Sequence, residues 1–137
     1  MPRAAELMQR ALLHFQGTRY LLHAWCIMPN HVHVLFQTLP GWTMSRVVWS
    51  WKSYTGRLIS RLGLPAKAGG DRADTCTPGN ASGAANKVWH REYFDRYIRD
   101  QRHFRIAVSY IHNNPVKAGL VDRADAWPWS SAFCNRV

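Results

Sequence analysis

Four residues of this 137-residue chain have the types and spacing for phosphate chemistry: His31 and His33 in the run Asn30-His31-Val32-His33-Val34-Leu35-Phe36, and Tyr110 and Asn114 far downstream. In an extended strand, side chains two residues apart share a face, so the two imidazoles would stand side by side while Val32, Val34 and Phe36 turn toward a core. On a helix, residues four apart are neighbours, which places Tyr110 and Asn114 together at the edge of an apolar stripe. If that helix packs beside the histidine strand, the Asn114 carbonyl oxygen completes a set of two nitrogens and one oxygen. Such a set leaves positions for water or phosphate oxygens and suits Mg²⁺ or Mn²⁺ better than a closed structural zinc. Tyr110 would then attack phosphorus and become a phosphotyrosine. A phenol has an ordinary pKa of about 10, so the attack needs the cation, a base or a nearby positive charge to favour the phenolate. Lys52 or Arg91 could supply charge, although a phosphate clamp or a solvated surface charge is the commoner role. Taken singly, each residue has a duller reading: strand histidines, a surface tyrosine, a helix-ending asparagine before proline. Only the combination points to chemistry.

The elements that must position these groups are legible from periodicity. Residues 4–15 carry Met8, Ala11, Leu12 and Phe15 at helical spacing, and Gly17 follows as a stop. Residues 20–27 and 31–37 are rich in β-formers, and Met28-Pro29-Asn30 between them reads as a turn, which predicts a hairpin whose second strand opens with the histidines. Thr43 suits an N-cap for a second helix with Met44, Val47, Val48, Trp51, Leu58 and Leu62 as its apolar stripe and Gly63 as its end. Residues 65–87 are mostly Ala, Gly, Thr, Asn, Asp and Pro without apolar period, and read as a flexible insertion rather than a boundary. Residues 88–99 mix aromatics with arginines and suggest a short strand. Asp100 caps a helix over 101–113 with Phe104, Ala107, Val108 and Ile111 buried. Asn114 precedes Pro115 and is expected to leave helical geometry, so Tyr110 falls in the last turn. Residues 116–137 suggest a final short strand and a proline-ordered tail.

Composition bounds the class. The chain is one domain, residues 1–137, and at 47% hydrophobic and 12% aromatic it is long and apolar enough to bury a core. Lys plus Arg number 18 against 8 for Asp plus Glu, a formal charge of +10 that fits a phosphate-backbone partner. Cys26, Cys76 and Cys134 are odd in number and contain no C-x-x-C pair, which disfavours a disulfide framework or zinc ribbon and fits a reducing cytosol. No apolar run reaches membrane-span length and the first residues lack a signal-peptide core, so the expectation is a cytoplasmic protein with no membrane partner. Trp49, Trp89, Tyr93, Phe94 and Trp127 could stack unpaired bases while neighbouring arginines track phosphates. For any single tryptophan, however, core packing is the default. His90, His103 and His112 have no spacing that demands a metal.

Four blocks of the chain resemble the single-tyrosine HUH transposases, specifically the REP-associated tyrosine transposases of bacteria. They are Trp25-Cys26-Ile27-Met28-Pro29-Asn30-His31-Val32-His33, Ser50-Trp51-Lys52-Ser53-Tyr54-Thr55, Val88-Trp89-His90-Arg91-Glu92-Tyr93-Phe94-Asp95, and Tyr110-Ile111-His112-Asn113-Asn114-Pro115-Val116-Lys117-Ala118-Gly119-Leu120-Val121. The similarity runs from about residue 11 to 131, and Trp127-Pro128-Trp129-Ser130-Ser131 resembles the family's ending. The resemblance implies an α+β fold, an antiparallel sheet covered by helices in ferredoxin-like fashion. It also implies a divalent-metal site of His31, His33 and Asn114 with Tyr110 as nucleophile. Family members nick single-stranded DNA near hairpins of repetitive palindromes, keep a 5′-phosphotyrosine and free a 3′-hydroxyl. Lys52, Arg91, Arg96, Arg99 and Lys117 are the candidate nucleic-acid contacts, and a monomer or a homodimer is compatible with the reading. Two departures stand out: only Met1-Pro2-Arg3 precede the first helix where the family usually has a strand, so a first strand is expected to be lacking, and the 65–87 insertion is long. The alternative is therefore a catalytically impaired DNA-hairpin-binding relative. A small β-barrel metalloenzyme would need more strands than the sequence offers.

Overall fold

A computed structural model describes residues 2–63, 88–89 and 95–134. The order is helix α1 (Pro2–His14), strands β1 (Tyr20–Ile27) and β2 (Val32–Thr38), helix α2 (Met44–Arg61), helix α3 (Gln101–Lys117), a 3-10 turn (Ala124–Ala126) and the short helix α4 (Ser131–Cys134). The class is α+β, as the sequence predicts, with one antiparallel pair of strands among the described residues. The segment 65–87 read as an insertion lies outside the described residues.

The hairpin closes where Met28 N–H donates to the His31 carbonyl at 2.8 Å, leaving Pro29 and Asn30 to turn the chain. His31 thus ends the turn and β2 proper begins at Val32, one residue later than the sequence suggests. The register pairs Cys26 with His33 and Ile27 with Val32, and it slips between Leu22 and Ala24, where His23 is the extra residue. A bulge inverts the side-chain alternation. It is why Tyr20 and Leu22 on one side of the slip, and Trp25 and Ile27 on the other, all face the same core.

That core lies between the hairpin and the pair α1 and α2. Val32, Val34 and Phe36 pack on it as expected, against Met8, Leu12, Val47 and Trp51. Two of its polar side chains satisfy each other: the buried Tyr20 hydroxyl donates to the Leu12 carbonyl at 2.7 Å and accepts the Trp51 indole N–H at 3.0 Å, whereas the buried Trp25 indole N–H has no partner among the described residues. Thr43 caps α2 by accepting the Arg46 N–H, and Gly63, at φ +61, follows its end in the left-handed conformation that glycine adopts without cost. The buried stripe of α2 is Val47, Trp51, Thr55 and Ile59. Leu62, assigned to that stripe by sequence, is exposed. Thr55 takes an inner place because its hydroxyl is used twice, donating to the Trp51 carbonyl and accepting the Trp89 indole N–H.

A smaller core on the other face of the hairpin joins Ala24, Cys26, Met28 and Leu35 to Val108 and Ile111 of α3. Asp100 caps α3 by accepting the His103 N–H at 2.7 Å. The expected break at Asn114 does not occur: α3 continues through Pro115 to Lys117. Pro115 is fully buried and sits in the last turn, where only the Ile111 carbonyl loses a partner. The end is then closed by Leu120 N–H on the Pro115 carbonyl and Gly119 N–H on the Val116 carbonyl, with Gly119 at φ +73. This is a Schellman closure. It also consumes the backbone groups at 119–120 that a final strand would need, and no strand forms there. Val88, Trp89 and residues 95–99 are likewise not in a strand, and the rest of that predicted strand lies outside the described residues. In place of a C-terminal strand, the Trp127-Pro128-Trp129-Ser130-Ser131 run is pinned to β1. Ile27 N–H donates to the Trp129 carbonyl at 2.8 Å, the Trp127 indole donates to the Ile27 carbonyl at 2.9 Å, and Cys26 and Ser130 form one antiparallel bridge. Pro128 has no N–H to extend that bridge into a ladder.

Candidate active site

The two-residue period of β2 brings the His31 and His33 rings to the α3 side of the hairpin, their centroids 4.7 Å apart and edge to face. Because α3 runs straight through Pro115, Tyr110 and Asn114 lie on consecutive turns of a regular helix. Both reach His33. The Asn114 amide nitrogen is 3.2 Å from His33 Nε2, and the Tyr110 ring centroid is 5.6 Å from that of His33, again edge to face. His33 is therefore the hub, touching His31 in the turn just before its strand and both helix residues across the interface. Tyr110 is half exposed, on the solvent side of the helix. Lys117, seven residues on, places its ammonium 5.2 Å from the Tyr110 ring centroid.

The imidazoles are prepared as lone-pair donors. His31 Nδ1 donates to the Asn30 side-chain oxygen, which leaves Nε2 of that ring without a proton when it is neutral. Burial, and secondarily the neighbouring His31, push the His33 pKa below the ordinary imidazole value of 6.5, so His33 is neutral at pH 7. Among the described residues no three His, Cys, Asp or Glu side chains cluster to hold an ion, so a cation here would need an amide as its third protein ligand. Asn114 fits. Its NH₂ now answers the His33 lone pair, and the oxygen of the same amide is the donor it offers once that lone pair is engaged elsewhere.

Of the candidate nucleic-acid contacts, Lys117 stands beside Tyr110. Arg96 and Arg99 line an open groove with Tyr97, Arg102, His103 and Ile106 at the start of α3, about two and a half turns before Tyr110. Lys52 is on α2, across the hairpin from Tyr110, and desolvation lowers the pKa of its ammonium. It is not part of this cluster. Arg91 lies outside the described residues. Sequence reasoning missed Asn30, whose place next to His31 in the turn is its only signal. It also left His112 without a role. His112 points to the opposite side of α3 from the cluster, with Nε2 2.8 Å from the hydroxyl of Ser131, and Ser131 in turn accepts the Trp25 N–H at 3.0 Å.

Residues 3–70 match the family model described as "Transposase IS200 like", a span that contains His31 and His33 and stops short of α3. Over this span the chain is similar to the IS200-like transposases. Among curated proteins, the chain is 24% identical over 130 residues to the REP-associated tyrosine transposase of Escherichia coli K12, covering 92% of this chain and 63% of that one. It is 28% identical over 114 residues to a putative REP-associated tyrosine transposase of Haemophilus influenzae, covering 79% of this chain and 56% of the relative. The chain thus spans between about half and two thirds of these relatives' length. A solved structure of a REP-associated tyrosine transposase bound to a REP hairpin superposes with a TM-score of 0.68 at 21% identity, over 94% of this chain and 65% of the other. The fold is shared. No helix among the described residues is long and apolar enough to cross a membrane.

Proposed function

We propose that this protein nicks single-stranded DNA beside hairpin-forming palindromic repeats and transfers the strand through a 5′-phosphotyrosine on Tyr110, with a divalent cation, Mg²⁺ or Mn²⁺, held by His31, His33 and Asn114. The observation that supports it most is the convergence on His33 of a second imidazole, an amide and a half-exposed phenol from elements 77 residues apart in sequence, His33 to Tyr110. The solved relative bound to a REP hairpin suggests the kind of DNA.

The chain's own groups account for most of the chemistry. The Tyr110 oxygen attacks the phosphorus and forms the Oη–P bond. The bond from phosphorus to the 3′-oxygen breaks, and that oxygen leaves with its electron pair and takes a proton to become a 3′-hydroxyl. The reverse attack by another 3′-hydroxyl releases Tyr110 and joins new ends, and no external energy source is needed because one phosphoester replaces another. Lys117 places a positive charge beside the phenol, where the phosphate's negative charge must be received. Asn30 holds the His31 ring in one tautomer, and His33 keeps its ring neutral by burial. A bound cation supplies Lewis acidity at the phosphate oxygens, and the two imidazole donors favour Mn²⁺ over Mg²⁺.

The test is incubation of labelled hairpin DNA bearing single-stranded flanks with the protein and Mn²⁺ or Mg²⁺, followed by denaturing electrophoresis. A covalent adduct is expected from the native chain and none from Tyr110→Phe. Equal adduct from both would contradict the assignment of Tyr110. Hairpin binding without any adduct would leave the catalytically impaired, DNA-binding reading in its place.

A further inference from the structure

Across the hairpin from α3, the surface over the first turns of α2 carries a second group of residues with the chemistry of a nucleotide site. Trp49 projects from α2 with 70% of its surface exposed, although the other tryptophan of the helix, Trp51, is buried in the core. One turn before it is Arg46, whose guanidinium lies 4.5 Å from the ring centroid of Trp42. Arg19, from the loop leading into β1, is held between two rings, 3.3 Å over Phe15 and 4.2 Å from Trp42. With Ser45 and Ser50 these side chains line one open groove.

The arrangement is specific in what it leaves available. Stacking on aromatic faces fixes a guanidinium's plane while N–H groups at its edge remain for an anion; Arg46 spends one N–H on the Gly41 carbonyl at 3.2 Å and keeps the others. Among the described residues neither Arg19 nor Arg46 forms an ion pair with a carboxylate, the ion pairs being Arg10 with Glu6 and Arg123 with Asp125. The first turn of α2 also has no acidic residue. Two anchored cations next to an exposed indole match a phosphodiester followed by a base whose face is open. A stacked duplex offers no such face along its length, whereas a single strand offers one at every nucleotide.

We infer that Arg19, Trp42, Arg46 and Trp49 form a second binding site, for an unpaired stretch of single-stranded nucleic acid, with Trp49 as the stacking platform and the two guanidiniums as phosphate contacts. The site is separate from the Tyr110 cluster. Arg19 adjoins Tyr20, which pairs with Thr38, while His33 pairs with Cys26, so about 20 Å of strand lies between the two. They are also on opposite faces of the hairpin. The inference shares with the proposed function only its class of partner and makes no use of Tyr110.

Fluorescence anisotropy of a labelled oligothymidylate, without added metal, tests it on the whole chain. Trp49→Ala and Arg46→Gln each weaken binding by about tenfold, Trp49→Phe restores most of the loss, and Arg46→Gln lowers the slope of log affinity against log salt by about one. Adduct formation on hairpin DNA with added cation is measured in parallel, so failure of either site is read separately. Both substituted residues are exposed, so circular dichroism should report an unchanged fold. Native-like affinity in Trp49→Ala and Arg46→Gln would overturn the site. An equal loss for a blunt duplex of the same oligothymidylate with its complementary oligodeoxyadenylate would overturn its assignment to single strands.

Discussion

At the scale of single residues, the account turns on His33 being neutral and shared. Burial is the larger reason its pKa is lowered and the charge of His31 the smaller, and burial also lowers that of His112. A histidine whose folded-state pKa lies below its unfolded value binds protons more readily when unfolded. Its contribution to stability is therefore complete above the ordinary value of 6.5 and is lost as pH falls below it. Melting temperature is accordingly expected to fall on acidification from about pH 7.5 to about pH 5.5, and less steeply in His33→Gln than in the native chain. A melting temperature that rises on acidification, or an identical slope in the variant, would contradict the burial of a neutral His33. The residue types of the cluster were readable in advance because a strand's period of two and a helix's spacing of four fix which side chains are neighbours. Asn30 was not, because an asparagine in a turn looks like turn chemistry and its bond to His31 depends on how the hairpin closes.

At the scale of elements, α1, the hairpin, the Thr43 and Asp100 caps and the Gly63 stop follow from local patterns, and they are where local chemistry indicates. What local reasoning missed has non-local causes. Pro115 would normally end a helix, but its ring is buried and a Schellman closure beyond it satisfies the chain end, so Asn114 stays helical and in reach of His33. The bulge at His23 changes which residues face the larger core, and periodicity alone gives no sign of it. The C-terminal run, whose sequence suggests a short strand and a proline-ordered tail, instead ties α3 to β1. The buried Ser131 hydroxyl receives the Trp25 N–H and meets His112 Nε2, making one joint among strand, helix and tail. Ser131→Ala leaves the Trp25 N–H without that acceptor, and the expected cost is about 1–3 kcal/mol in urea denaturation. A loss well below that would mean the joint is not what holds the tail.

At the scale of the whole molecule, the hairpin is a partition. One face carries the larger core with α1 and α2, and the other carries α3 and the cluster around His33, so the candidate chemistry and the Trp49 groove occupy separate surfaces of a protein with a formal charge of +10. The charge was evident from composition; the separation of the two sites was not, since the segments that build each face are far apart in sequence. The most direct test of the central claim is mass spectrometry of the protein after reaction with hairpin DNA and Mn²⁺, followed by nuclease and protease digestion. The account predicts a nucleotide phosphate on the peptide that contains Tyr110, absent when the cation is chelated or when His33 is replaced by alanine. A modification on another residue, or one that persists without the cation and without His33, would contradict it.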